Sequence, residues 1–245
     1  YVANYDGELV VVSPDTATFQ PNLEEFEQKI SARTKAVIIN TPHNPTGVLT
    51  DRDFLKRVLE RCRKNRILLA LDECFLDFRE DRAALSMGGE VSGGGLFLLK
   101  AFTKTYACAG LRAGYGLSAD EGLLERMNAL RQPWSVSLPA QRAGIAALSL
   151  KGFAEESARY VRTEREWLEA RLKELPLTVY PGSVNYIFFK SARADLGEAL
   201  LKEGILIRSC ENYRGLAPGY FRCAVRGRAE NEALIGALHR ILEGN

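Results

Sequence analysis

Short apolar runs that alternate with helical patterns constrain the fold of this chain more than any other feature of its sequence. The runs at 36–39, 67–71 and 96–99 have the length of strands, and polar residues follow each of them. Between the first two runs, residues 50–64 show helical periodicity, with one predicted apolar face made of Phe54, Leu55, Val58, Leu59 and Cys62. Strands that alternate with helices predict an α/β fold with a mostly parallel, doubly wound sheet. Such sheets bind ligands at the carboxyl ends of their strands.

Other segments of the first half have weaker patterns. We predict strands over 8–12 and 114–117, and a helix that begins after Asn22, a capping residue followed by glutamate three positions later. The glycine-rich stretch 87–95 lacks the spacing and the following helix of a phosphate loop. It is predicted to be a flexible surface connection.

The pattern changes near residue 138. Helices are predicted over 138–150, 153–175, 194–203 and 229–243, and strands over 177–180, 186–189, 205–208 and 220–225. The long helix 153–175 is expected to bury a stripe made of Tyr160, Trp167, Leu168 and Leu172. We therefore predict a large domain over 1–152 and a smaller α+β domain over 153–245, with a small-molecule site in the cleft between them.

Composition narrows the classes of function. The 245 residues carry a net charge of +2, which gives no electrostatic case for nucleic-acid binding. No apolar stretch approaches the ~20 residues that a membrane span needs. The five cysteines are odd in number and lack metal-ligand spacing, which is typical of reduced thiols in a cytoplasmic protein, and two histidines are too few for a histidine-based metal site. The basic residues of 57–66 and 159–171 are predicted to lie on solvated helix faces.

Four polar residues stand at predicted strand ends and indicate one chemistry. A lysine buried there, such as Lys104, would have a lowered pKa and could form a Schiff base with an aldehyde. The guanidinium of Arg112 suits a phosphate, and the carboxylate of Asp72 suits a pyridinium nitrogen. An aldehyde together with a phosphate describes pyridoxal 5'-phosphate, and the amide of Asn44 could donate to its ring oxygen. Taken alone, the stretch around Lys104 is equally compatible with a surface lysine and a structural arginine.

The chain resembles the class I/II aminotransferase family of fold-type I pyridoxal phosphate enzymes over essentially its whole length. The resemblance is carried by the order of Asn44, Asp72, Lys104 and Arg112. The resemblance implies that Lys104 is the catalytic residue and forms the Schiff base. It also implies that Asp72 pairs with the pyridine nitrogen, Asn44 contacts the ring hydroxyl and Arg112 binds the cofactor phosphate.

The chain departs from the family pattern at two positions. Phe75 stands where many members have a tyrosine that donates to the ring oxygen, and Ala101 stands where many have a serine that binds the phosphate. These departures predict a weaker hold on the cofactor. The resemblance further implies a homodimer, and a segment before Tyr1 that contains a glycine-rich phosphate turn, so we expect the chain to be truncated at its N-terminus.

Two arginines in the second half are candidate substrate anchors. Arg222 lies on an otherwise apolar strand, either as an edge arginine or as a clamp for an amino acid carboxylate. Arg208 ends a predicted strand, and in related enzymes that act on phosphorylated substrates this position faces the phosphate. Asn185 is assigned to substrate binding by the same resemblance, whereas Arg226 and Arg228 are predicted to be solvated.

Three strings, at 132–136, 177–186 and 205–216, resemble the branch of the family that decarboxylates L-threonine O-3-phosphate in cobalamin biosynthesis. The expected substrate is thus a small phosphorylated amino acid. Two alternatives stay open. One is another aminotransferase of the class, in the first place the branch that transfers the amino group of histidinol phosphate, whose usual counterpart of Phe75 is tyrosine. The other is an aminotransferase-like effector domain of a transcription regulator.

Overall fold

The computed structural model describes residues 7–244, and its first sheet has the predicted parallel arrangement. Strands β1 (Ala36–Asn40), β2 (Leu68–Asp72) and β3 (Leu96–Ala101) are parallel, and β4 (Gly114–Leu117) pairs antiparallel with β3. The strand order is β1-β2-β3-β4. The register sets Asn40 opposite Asp72, so the polar ends of β1 and β2 lie side by side.

Helices pack on this sheet as their periodicity predicts. Helix α1 (Leu23–Lys29) begins at Asn22, whose side chain accepts from the amide of Glu25. In α2 (Arg52–Lys64), the predicted apolar face is buried against Leu69, Leu71, Leu96 and Leu98. On the opposite face of the sheet Ile38 is 69% exposed. The remaining helices of the first half are α3 (Arg82–Leu85), α4 (Phe102–Thr105), α5 (Glu121–Leu130) and α6 (Leu138–Ser149).

The second sheet is antiparallel, and helices cover it. Its order is β5 (Leu177–Val179), β6 (Tyr186–Ser191), β8 (Tyr220–Ala224) and β7 (Arg208–Ser209). Helices α7 (Phe153–Lys173), α8 (Leu196–Lys202) and α9 (Arg228–Leu242) share one core with it, which includes Leu168, Leu172, Ile187, Phe189, Phe221 and Leu238. The domain boundary at 152 stays a prediction, and Tyr1–Asp6 and Asn245, at the ends of the two predicted domains, lie outside the described residues.

Two predictions about the first half are wrong. Residues 8–12 form no strand, because no strand lies beside them; the segment instead meets α1, where the Lys29 amine donates to the Val11 carbonyl over 2.6 Å. The glycine-rich stretch is not a loose connection: Met87–Gly93 forms a 3-10 helix. Arg63 donates to the carbonyls of Glu90 (2.8 Å) and Gly94 (2.9 Å), which ties the stretch to α2.

Three predictions about the second half also need correction. Tyr160 is 54% exposed rather than part of the buried stripe, and β7 spans two residues rather than four. Arg165 is buried rather than solvated, because it lies beside β6 and donates to the Val184 carbonyl over 3.2 Å.

Arg228 keeps part of its surface in solvent but pairs with the buried carboxylate of Glu164 over 3.1 Å.

None of the helices within residues 7–244 combines the length and the apolar character that crossing a membrane requires.

Candidate active site

A cavity of about 450 Å³ opens where the end of the first sheet meets the edge of the second. Five of the seven predicted site residues line it: Asn44, Lys104, Asn185, Arg208 and Arg222. They come from the loop after β1, from α4, and from the β6–β8–β7 side of the second sheet. Tertiary folding therefore brings together residues that are distant in the sequence.

Asn44 lies in the loop after β1, and hydrogen bonds hold both its backbone and its side chain. The Asn44 backbone amide donates to Oδ1 of Asn40 over 2.7 Å, and Nδ2 of Asn40 donates to the carbonyl of Asp72 over 3.3 Å. The Asn44 side-chain oxygen accepts a hydrogen bond from Arg222. Asn40 supports the site but was not predicted from the sequence, where its only signal is its place as the last residue of β1.

Tyr186 is a second missed residue, and it joins the two halves of the site. Its hydroxyl donates to the His43 carbonyl over 2.9 Å, and its ring lies 4.7 Å from the guanidinium carbon of Arg222. Burial raises the pKa of Tyr186, so the hydroxyl stays a donor at neutral pH. Burial lowers the pKa of His43, which favours the neutral ring that contacts Thr46 Oγ1 at 2.8 Å.

Lys104 lies on α4 with its amine 5.5 Å from the ring centroid of Phe75. The side chain is exposed, so the premise of a buried lysine is wrong for this chain. The reason is geometric: α4 is a single turn at the open end of β3, and the amine projects over Phe75 into the cavity. An accessible primary amine facing polar groups remains a competent nucleophile for an aldehyde.

Asp72 and Arg112 are not among the residues that line the cavity. One carboxylate oxygen of Asp72 accepts from the Cys74 amide over 2.9 Å, at the end of β2. Arg112 is exposed, has a left-handed backbone with φ 53°, and donates to the Ala109 carbonyl over 3.2 Å. Their predicted contacts with a pyridine nitrogen and a phosphate stay predictions.

Arg208 and Arg222 are direct partners across β7 and β8, so two cations enter the cavity from adjacent strands. Arg208 donates to the side-chain oxygen of Asn212 over 3.0 Å and lies 6.0 Å from the Tyr213 ring. Two guanidinium groups side by side suit a ligand with two anionic groups.

The side-chain oxygen of Asn185 is buried and has no hydrogen-bond partner in the described part of the chain. An unpaired buried acceptor costs about 1–3 kcal/mol, so this atom suits a donor supplied by a ligand. The cavity thus offers an amine, two amides and two guanidinium groups. This set fits pyridoxal phosphate with an anionic amino acid: Lys104 would bind the aldehyde and Asn44 the ring oxygen. When bound, the cofactor supplies an electron sink for a bond broken at Cα.

Comparisons with known proteins agree with this chemistry. The family model described as aminotransferase class I and II matches residues 1–238. Threonine-phosphate decarboxylase of Salmonella typhimurium is 39% identical over 207 residues, which cover 83% of this chain and 57% of that protein. Histidinol-phosphate aminotransferase of Methanosarcina mazei is 32% identical, covering 89% of this chain and 58% of that protein. This chain therefore spans somewhat more than half the length of these curated relatives.

The fold has a solved counterpart. The crystal structure of histidinol-phosphate aminotransferase from Clostridium acetobutylicum superposes with a TM-score of 0.93 at 26% identity, covering 100% of this chain and 74% of that one. The sheet order and the predicted α/β class are accordingly those of fold-type I pyridoxal phosphate enzymes.

Proposed function

The chain belongs to the class I and II aminotransferase family of pyridoxal phosphate-dependent enzymes, and we propose that the full-length protein decarboxylates L-threonine O-3-phosphate. The reaction releases the α-carboxylate as CO₂ and replaces it at Cα with a proton, which leaves (R)-1-aminopropan-2-yl phosphate. The observation that carries the proposal is the pairing of Arg208 with Arg222 in the cavity that holds Lys104.

The two arginines match the two anions of this substrate. Threonine phosphate presents a carboxylate and a phosphate at the same time, whereas histidinol phosphate presents a phosphate and no carboxylate. Arg222, held by Asn44 and stacked on Tyr186, is assigned to the carboxylate. Arg208, nearer the exposed rim beside Asn212, is assigned to the phosphate.

Lys104 has two tasks under this proposal. Its amine would hold the cofactor through the aldehyde, and as a free ammonium Nζ would donate the proton that takes the place of CO₂ at Cα. The Nζ atom lies 5.5 Å from the Phe75 ring centroid, at the wall of the cavity. The unpaired oxygen of Asn185 is available to the substrate ammonium or to a phosphate hydroxyl.

A second candidate is amino transfer from histidinol phosphate. The M. mazei relative and the C. acetobutylicum structure favour it. The amino acid donor of a transaminase also presents carboxylates to Arg222, so the presence of this arginine does not distinguish the two reactions. Assays with the two substrates distinguish them.

The deciding experiment follows two products in the full-length protein supplied with pyridoxal phosphate. With carboxyl-labelled threonine phosphate we expect release of labelled CO₂, and with histidinol phosphate and a 2-oxo acid we expect little amino transfer. The reverse result would contradict decarboxylation and support the aminotransferase. In both cases, Lys104→Ala should abolish the borohydride-reducible link to the cofactor, and labelling of another lysine would refute the site.

A further inference from the structure

Helix α4, which carries Lys104, buries only one of its residues. It is a single turn without a side-chain cap at Ala101, and its one buried residue is Thr105, which is 5% exposed. Lys104 itself is exposed and cannot anchor the turn. The direction in which Lys104 points therefore depends on the contacts of Thr105 and on the Phe102 ring, which packs against Tyr106 and Tyr115.

The Thr105 hydroxyl donates to Oδ2 of Asp77 over 3.3 Å. Asp77 lies in the 3-10 helix Leu76–Phe78, which follows the end of β2. Its other oxygen, Oδ1, is 3.6 Å from the amine of Lys100 on β3. Asp77 is thus a bridge between α4 and the ends of two parallel strands.

Lys100, which lies beside Asp77, is itself held by a buried carboxylate. The Lys100 amine also pairs with Oε2 of Glu73 at 2.9 Å, and the Glu73 side chain is only 1% exposed. Glu73 accepts further hydrogen bonds from the Ser86 hydroxyl (2.7 Å) and the Met87 amide (2.8 Å). A buried carboxylate with both oxygens hydrogen-bonded is confined to one geometry. Glu73 therefore fixes the position of the Lys100 amine, and through it the position of the Asp77 carboxylate.

We propose that Asp77, acting through the Thr105 hydroxyl, is a positioning residue that holds α4 so that the Lys104 amine faces the cavity. Neither Asp77 nor Thr105 lines the cavity, so neither is assigned a contact with ligand. The proposal rests on the proposed function only in taking Lys104 as the amine that captures the cofactor aldehyde.

Four variants of the full-length protein isolate this hydrogen bond. Thr105→Val removes the hydroxyl at nearly constant volume, and Thr105→Ser restores it. Thr103→Val is the matched control, because Thr103 lies on the same turn and its hydroxyl makes no hydrogen bond within residues 7–244. Thr105→Ala is the second hydroxyl-free variant and serves if the valine variant does not fold.

The first measurement needs no cofactor. In α4 the amides of Tyr106 and Ala107 donate to the carbonyls of Phe102 and Lys104, both over 3.2 Å, and their deuterium exchange reports opening of the turn. We expect exchange about tenfold faster in Thr105→Val, as the loss of one net hydrogen bond implies, with parent behaviour in Thr105→Ser and Thr103→Val. Unchanged exchange in Thr105→Val would overturn the anchor whatever the protein binds.

The second measurement follows capture of pyridoxal phosphate by borohydride trapping and peptide mapping. We expect the trapping rate at Lys104 to fall about tenfold in Thr105→Val and to recover in Thr105→Ser, in parallel with the exchange data. Equal trapping in Thr105→Val and parent would refute a positioning role. Trapping at a different lysine in the parent would instead refute the proposed function, and the exchange experiment would still decide the anchor.

Discussion

The two arginines of the cavity differ in how firmly the protein holds them. Arg222 donates to Asn44 and stacks on the buried ring of Tyr186, so its guanidinium is fixed before any ligand binds. Arg208 is exposed, and its hydrogen bond goes to Asn212 in the loop that follows its own strand. A fixed cation suits the group next to the reacting carbon, and an adjustable one suits a distal group.

Arg208→Met tests the distal assignment because it keeps the side-chain stem and removes the charge. We expect kcat/KM for threonine phosphate to fall roughly 30- to 1,000-fold, which corresponds to a loss of about 2–4 kcal/mol of transition-state stabilisation. The absorption spectrum of the bound cofactor should stay unchanged. Steady-state kinetics with threonine as the comparison substrate measure this effect. Arg214→Met, at an exposed arginine in the same loop, is the control and should behave as the parent. A parent enzyme that uses threonine as well as its phosphate would contradict the phosphate assignment.

Cys74, two residues after Asp72, has a protected thiol. Burial, together with the Asp72 carboxylate that accepts from the thiol, raises its pKa to about 12. At pH 8 only roughly one thiol in ten thousand is then a thiolate, so alkylation by iodoacetamide should be about a thousandfold slower than for an unperturbed cysteine. Mass spectrometry of the folded protein, with the urea-unfolded protein as control, measures the rate. Equal rates in the two states would refute the protection of Cys74.

The segment Met87–Gly93 shows how one side chain orders an element that its own sequence leaves undetermined. Arg63 extends from α2 and donates to the Glu90 carbonyl within this segment and to the Gly94 carbonyl just after it. A Cβ added at Gly93 would lie 2.5 Å from the Arg63 guanidinium, so glycine there leaves room for the guanidinium in its present position. The glycines leave room for Arg63, and the hydrogen bonds of Arg63 restrict the backbone conformations that glycine would otherwise adopt.

Arg63→Met should therefore destabilise the protein by about 1–3 kcal/mol, because two backbone carbonyls lose their donors while the apolar stem is kept. Urea unfolding followed by circular dichroism measures the free energy of unfolding. Arg61→Met, at an exposed position on the same helix, should change it by less than about 0.5 kcal/mol. A loss in Arg61→Met equal to that in Arg63→Met would indicate a helix effect and not the contact.

The two sheets are joined through the loop after β1. Ser183 donates its backbone amide to the Gly47 carbonyl over 2.9 Å, and Tyr186 donates its hydroxyl to the His43 carbonyl. Gly47 has φ +76°, a left-handed conformation that favours glycine, so the backbone turn that brings its carbonyl to Ser183 depends on this residue. Because Asn44 lies in this loop, the same contacts that join the halves also shape the cavity.

Tyr186→Phe tests this junction by removing one hydroxyl. We expect a loss of about 1–2 kcal/mol in the free energy of unfolding, since the His43 carbonyl loses its partner while the ring that supports Arg222 remains. Thermal and urea unfolding give the value, and Tyr160→Phe on the exposed side of α7 is the matched control. A stability equal to that of the parent would show that the hydroxyl does not contribute to the junction.

Local periodicity was sufficient to predict much of this protein. The strands β1 to β3, the buried face of α2 and the gathering of Asn44 and Lys104 at strand ends follow from patterns within a few neighbouring residues. A parallel sheet places successive strand ends at one edge, so the order of polar residues in the sequence already implied a shared site. The resemblance to a family then added Arg208, Arg222 and Asn185.

Only the tertiary structure decided the state of the charged residues. Arg165 is buried because folding brings it to the Val184 carbonyl just before β6, to which it donates, and Lys104 is exposed because its turn lies at the open end of β3. The Asp77–Thr105 hydrogen bond likewise joins residues 28 positions apart in the sequence. Apolar side chains are buried according to a local period, whereas the burial of a charge depends on partners that only the folded chain brings within hydrogen-bond distance.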